Sequence, residues 1–199
     1  GAGLVQLNAA NNHSGATVVS TGTLKLGASA TLNTTPVISV ASGAVFDVSS
    51  LGGGFVLSGA QTLGGNGTVV GSVTANGTIA PGASVGRLTI SGNATLAGST
   101  LMEVTKSGSA LTNDVLSISG TLTCGGTLVV TRTGNALAAN DSFRLLSAGA
   151  STGSFANYSL PVLGPGLAWD FSTINSDGWL RVVSNTVPVI GSVSVLDGK

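Results

Sequence analysis

The chain has 199 residues, of which 31 are glycine, 7% are charged and 4% aromatic, with seven Lys/Arg balanced by seven Asp/Glu. This balance, with neither sign clustered, excludes a basic nucleic-acid binder, and 42% hydrophobic residues argue against disorder. No apolar run approaches the roughly 20 residues a membrane helix needs, and the single cysteine, Cys124, leaves no disulfide framework and no multi-cysteine metal site.

From the first residues the pattern has period two. Gly1–Ala10 lacks the charged start and cleavage pattern of a signal peptide, so the chain reads as a segment of a longer or processed protein. Gly3-Leu4-Val5-Gln6-Leu7 is an apolar strand with no charged residue before Lys25. Leu24 and Leu26 then flank Lys25, Ile38 and Val40 flank Ser39, and Phe46 and Val48 flank Asp47. Further on, Leu88 and Ile90 flank Thr89, and Leu116 and Ile118 flank Ser117. Gly, Asn and Pro clusters separate these runs, as at Leu51-Gly52-Gly53-Gly54, Gly64-Gly65-Asn66-Gly67, Pro81-Gly82 and Gly125-Gly126. Helix formers are sparse, and the nearest helical stretch is Asn135–Asp141. The inward set is expected to contain Val19, Leu24, Leu26, Ile38, Val40, Phe46, Val48, Ile79, Leu88, Ile90, Leu116, Ile118, Leu122 and Leu128.

A Gly-Thr-apolar phrase recurs at Gly22, Gly67, Gly77, Gly120 and Gly126 with irregular spacing. That suits a wide coil with several strands per turn and small residues at its corners. Coils of roughly 20–25 residues would number about eight or nine, a rod on the order of 40 Å long. The expectation is an all-β chain folded as a parallel β-helix, or β-solenoid, with an aromatic-rich C-terminal capping region. Residues 1–134 read as regular coils and 135–184 as larger closing coils. Residues 185–199 read as a linker or strand-donating tail, with Pro188 breaking the pattern and Ser192–Leu196 alternating once more.

Asn11, Gly15, Thr17, Val19, Gly22, Leu24 and Leu26 fall on one motif, Asn-x-aromatic-x-Gly-x-Thr-x-(Val/Ile)-x-x-Gly-x-Leu-x-Leu. On these residues the chain resembles the autotransporter-associated β-strand repeat, with His13 standing where the family usually has Tyr. Residues 63–90 resemble the segment that follows the last such repeat. Asp114 to Val130 and Asp141 to Leu146 resemble final passenger coils, and Leu160–Asp170 their closing element. The resemblance implies a right-handed parallel β-helix on a secreted or surface protein of a Gram-negative-type bacterium. It implies a scaffold rather than one conserved activity.

Candidate chemistry is thin. His13 is the only histidine and reads as packing on the adjacent coil, and Cys124 shares the inward parity of Leu122. The acids Asp47, Glu103, Asp114, Asp141, Asp170, Asp177 and Asp197 are scattered, and Asp177-Gly178 reads as a hairpin turn between Phe171–Asn175 and Trp179–Val183. Gly64-Gly65-Asn66-Gly67-Thr68 lacks the Asp of a calcium repeat. The Thr-x-Thr pairs Thr21/Thr23, Thr121/Thr123 and Thr131/Thr133 read as outward β-branched residues. Phe143, Phe155, Tyr158, Trp169, Phe171 and Trp179 read as a bulky terminal cap, with a carbohydrate platform as the alternative. No catalytic, cofactor-binding or metal residue is therefore assigned. The expected role is a non-catalytic stalk or passenger segment, joined end to end to copies of itself or to flanking coils of a longer chain. It has no nucleic-acid partner and no integral membrane segment. The alternatives are a polysaccharide-active β-helix enzyme and an adhesin or ice-binding module.

Overall fold

The computed structural model describes residues 3–185. The chain winds through seven coils. The first two carry β1 (Leu4–Leu7) with β2 (Thr17–Val19), and β3 (Thr23–Leu26) with β4 (Val37–Val40). The third carries β5 (Val45–Asp47), β6 (Phe55–Leu57) and β7 (Thr62–Gly65), and the fourth β8 (Thr68–Val70), β9 (Val73–Ala75) and β10 (Thr78–Pro81). The fifth has β11 (Arg87–Ser91), β12 (Ala94–Leu96) and the long β13 (Ser99–Ser107), which returns as β14 (Ala110–Asn113). The sixth has β15 (Val115–Cys124) and β16 (Thr127–Gly134), followed by a short β17 (Ser142–Arg144). The seventh has β18 (Leu146–Gly153) and β19 (Asn157–Ser159). Beyond it lie β20 (Leu167–Asp170), a single helical turn α1 (Ile174–Asp177) and β21 (Trp179–Ser184).

Each coil stacks on the next by parallel pairing, which is what defines a parallel β-helix. One face stacks β1, β3, β5, β8, β11 and the first halves of β15 and β18. The second stacks β6, β9, β12 and the second halves of β15 and β18. The third stacks β2, β4, β7, β10, β13, β16 and β19. Thr23, Val45, Thr68, Thr89, Ser117 and Ser147 stand in one column, so successive coils take 22, 23, 21, 28 and 30 residues. Seven coils rather than eight or nine follow from the longer late turns, where the β13–β14 hairpin and the 135–141 loop consume residues without adding a coil. The stack is accordingly about 30 Å tall at ~4.8 Å per step.

Alternation supplies the core. Leu24, Phe46, Val69, Ile90 and Ile118 stand in register along one inward column, and Ile38, Leu63 and Ile79 along another. Every residue of the expected inward set is buried except Leu24, which is half-buried beneath the first coil. Each such burial contributes about 1.5–3 kcal/mol. Phe46 and Phe55 meet edge to face at 5.3 Å inside the third coil.

The Gly-Thr-apolar phrase marks corners. Gly98 and Gly126 both lie at the entry to the third face. A Cβ on Gly98 would sit 2.1 Å from the Gly77 carbonyl oxygen, and one on Gly126, at φ 55°, 2.0 Å from that of Gly98. The corner is a column of backbone against backbone, so only glycine fits. The same phrase turns the chain onto all three faces, opening strands at Gly22, Gly67, Gly77 and Gly126 and bending β15 at Gly120, which explains its uneven spacing.

At the C-terminal end β17, β21 and β20 form a three-stranded antiparallel sheet. Asn135–Asp141, the nearest approach to a helical stretch in the sequence, forms no helix. One expectation needs correction. Residues 174–177 form a helical turn that ends on Gly178 in the left-handed conformation at φ 77°, so the anticipated tight hairpin at Asp177-Gly178 does not exist. β21 instead pairs with β20, which ends at Asp170, because the Asp177 carboxylate accepts from Thr173 Oγ1 at 2.9 Å and Trp179 N at 2.9 Å and closes the helical turn. The tail Val187–Leu196 lies outside the described residues.

Candidate functional site

The structure brings together two acids that are eleven positions apart in sequence. Asp114 follows β14 and is 3% exposed. Its Oδ1 accepts from Gly86 N at 2.8 Å and its Oδ2 from Glu103 N at 2.7 Å, while its own N–H donates to the Glu103 carbonyl at 2.8 Å. Burial pushes the Asp114 carboxyl up to about 6, against the two amide hydrogens that lower it and with the Glu103 charge adding to the rise. Glu103 Oε1 accepts from Thr133 Oγ1 at 3.3 Å and Thr105 Oγ1 at 3.4 Å. Both acids border a cavity of about 240 Å³ with Pro81, Gly82 and Thr131. Among the described residues no His, Cys, Lys or Arg lines it. Because both Asp114 oxygens are spent on backbone amides, its geometry is that of a pin holding the hairpin base to the 82–86 loop. The signal for this pair was the Ser107-Gly108-Ser109 turn, whose hairpin folds Asn113 back over Val104.

The other described acids are likewise committed to local partners. Asp47 takes the Ser49 hydroxyl at 2.6 Å and lies 3.4 Å from Lys25 Nζ. Burial raises its pKa, but the Ser49 bonds and Lys25 outweigh that and hold the carboxyl below its ordinary value. Asp141 Oδ2 accepts from Lys106 Nζ at 2.7 Å and from Ala138 N at 2.7 Å. Asp170 takes the Ser172 hydroxyl at 2.6 Å, which lowers its pKa. Asp177 pairs with Arg181 at 2.8 Å. Asp197 lies outside the described residues. Among the described residues no group of three or more His, Cys, Asp or Glu is placed to hold a metal ion.

His13 is exposed rather than packed on the next coil, and its Nε2 lies 2.9 Å from Thr17 Oγ1 in its own coil. Cys124 is buried, and burial pushes its thiol up to about 11, far from a nucleophilic thiolate. Thr74, Thr95, Thr123 and Thr152 form one outward ladder. The Thr-x-Thr pairs do not extend it into a second column, since Thr121 stands against Ala150 and Thr131 against Glu103. The late aromatics pack on one another: Phe143 lies 6.5 Å from Trp169, and Tyr158 stacks on Phe171 at 4.5 Å. Trp169 Nε1 donates to the Pro161 carbonyl at 2.7 Å.

The two ends of the stack differ. At the C-terminal end β18 pairs only with β15 and β19 only with β16 among the described residues, but the core is covered: Ile174 of α1 is buried, Asn175 Nδ2 donates to the Tyr158 hydroxyl at 3.0 Å, and Phe171 stacks on Tyr158. At the N-terminal end β1 pairs only with β3 and β2 only with β4 among the described residues. Leu4, Val5 and Val18 are about 60% exposed. A cavity of about 470 Å³ opens there, lined by Val5, Leu7, Thr17, Val19 and Leu24, which are members of the inward columns. Among the described residues no helix is long and apolar enough to cross a membrane. No protein-family model matches the chain, and no curated protein matches it either.

Proposed function

We propose that this chain is a non-catalytic structural segment, an extracellular or cell-surface β-helical stalk of the bacterial passenger type. Its N-terminal coil edge takes a further coil, either from a longer chain or from a second copy in an end-to-end fibre. The observation that carries this reading is the asymmetry of the two ends. An unpaired parallel edge with its core columns exposed is a template for another strand, and folded proteins normally cover such an edge. A head-to-tail contact of this kind does not close on itself, so repetition gives a filament.

Light scattering over rising protein concentration, with electron microscopy, tests it. Growth into rods or filaments is expected, and Val5→Lys on the open edge should return the protein to monomer. Removing residues 186–199 separates donation by the tail, which abolishes growth, from stacking of whole coils, which does not. An intact protein that stays monomeric at high concentration, with β1 amides exchanging freely, overturns end-to-end assembly.

A further inference from the structure

Among the described residues, Arg87 and Arg144 are the two cationic side chains that meet no carboxylate or backbone carbonyl at hydrogen-bonding distance. Lys25, Lys106 and Arg181 are ion-paired, and Arg132 donates to the Asn135 carbonyl. The fold brings these two arginines to one cavity although they are 57 positions apart. Arg87 begins β11 on the first face, and Arg144 ends β17 of the cap. The cavity is about 350 Å³, also lined by Leu111 and Asn113 of the β14 hairpin, Ser142 and Trp179. Among the described residues no acidic side chain lines it. Asp114 is near in sequence, but its oxygens accept from the Gly86 and Glu103 amides rather than from either arginine.

The walls are fixed. Arg144 pairs with Trp179 across β17 and β21, and the Arg144 carbonyl accepts from Asn113 Nδ2 at 2.8 Å. That amide nitrogen also donates to the Asp114 carbonyl, leaving Asn113 Oδ1 as a free acceptor. Arg181 lies 5.7 Å from the Trp179 ring centroid. A second cavity of about 250 Å³ shares Arg144 and Trp179, so the two adjoin; Asp177 lines this second one, with its carboxylate paired to Arg181 at 2.8 Å.

We infer that this cavity pair binds an acidic oligosaccharide, with a uronate-type carboxylate between the Arg87 and Arg144 guanidinium groups and the sugar ring against Trp179. A planar guanidinium matches a carboxylate with two parallel hydrogen bonds. Ser142 and Asn113 offer a hydroxyl and an amide oxygen for ring hydroxyls, and an indole supplies an apolar surface for the C–H side of a sugar. Adjoining cavities suit a chain of sugar units rather than a single anion. A polyphosphate backbone fits poorly, because it needs a longer run of cations than two on a chain of zero net charge. This site is independent of end-to-end assembly and adds ligand binding to a structural role.

Tri-galacturonate, its fully methyl-esterified form and inorganic phosphate are the probes, titrated against the whole chain by calorimetry and Trp fluorescence. Saturable binding of the trimer is expected, with Arg87→Gln or Arg144→Gln each weakening it roughly ten- to a hundredfold. Both side chains are exposed, so circular dichroism of each variant should match the parent. The methyl ester should bind far more weakly, and phosphate should not displace the trimer at equal concentration. No binding of the trimer, equal binding of the ester, undiminished binding by the double variant, or displacement by equimolar phosphate each overturns the inference.

Discussion

Gln61 is 3% exposed and ties two coils together through its side chain. Its Nε2 donates to the Leu32 carbonyl at 2.6 Å and the Thr35 carbonyl at 2.7 Å, and its Oε1 accepts from Ser58 N at 3.0 Å. Gln61→Leu removes all three bonds and leaves buried backbone groups unpaired, a cost of about 2–4 kcal/mol that denaturant unfolding will measure. Thr100 is the opposite case. It is fully buried in the inward column between Ile79 and Leu128, and its Oγ1 has no partner. Thr100→Val keeps the shape and removes the orphaned hydroxyl, so it is expected to stabilise by about 1 kcal/mol and raise Tm. Asp114 makes stability depend on pH. Its folded carboxyl titrates near 6 against an ordinary 3.8, so between those values the folded state binds the extra proton. The Asp114 contribution to stability is therefore fully present below pH 3.8 and is lost as pH rises through 6, by about 1–3 kcal/mol. Asp47, Asp170 and Asp177 have lowered values and act with the opposite sign, in the window below 3.8. Unfolding followed from pH 4.5 to 7 isolates Asp114, and Asp114→Asn should flatten that profile.

At the level of elements, the corner glycines carry the sharpest expectation. Gly98→Ala places a methyl group 2.1 Å from the Gly77 carbonyl, and backbone on both sides cannot yield. A loss of about 3 kcal/mol or more is expected from thermal melting, whereas Gly52→Ala, with nothing within 4 Å, should be close to neutral. The strands were legible in the sequence because a half-buried strand writes its burial as alternation, as Leu24-Lys25-Leu26 and Phe46-Asp47-Val48 do. The corners were legible too, but not their assignment to faces, since one phrase serves three corners. What stayed hidden was non-local. Nothing in Gln61 announces a bond to Leu32, and Glu103 meets Asp114 only through a hairpin that leaves the coil. The open end is partly visible in Gly3–Leu7, which lacks a charge, while the cap misleads locally because Asp177-Gly178 has turn chemistry but closes a helical turn.

At the level of the whole molecule, stability should run as a gradient along the stack. In a solenoid each coil contacts only its neighbours, so the energy of any coil is set by its own burial and by two interfaces. The first coil has one interface and exposes Leu4, Val5 and Val18. The last three coils are held further by the β13–β14 hairpin, by the Lys106–Asp141 pair, whose side chains are each 13% exposed, and by the antiparallel cap. Opening should therefore begin at β1 and β2 and travel toward the cap. Native-state hydrogen exchange reads this directly, since amides open with local free energies up to the global value. Amides of Leu24 and Leu26 should exchange well before those of Leu116 and Leu128, and Val5→Lys should lower protection in the first two coils while leaving the seventh unchanged. Uniform protection along the stack would instead make the rod a single cooperative unit, with its open end as firmly held as its cap.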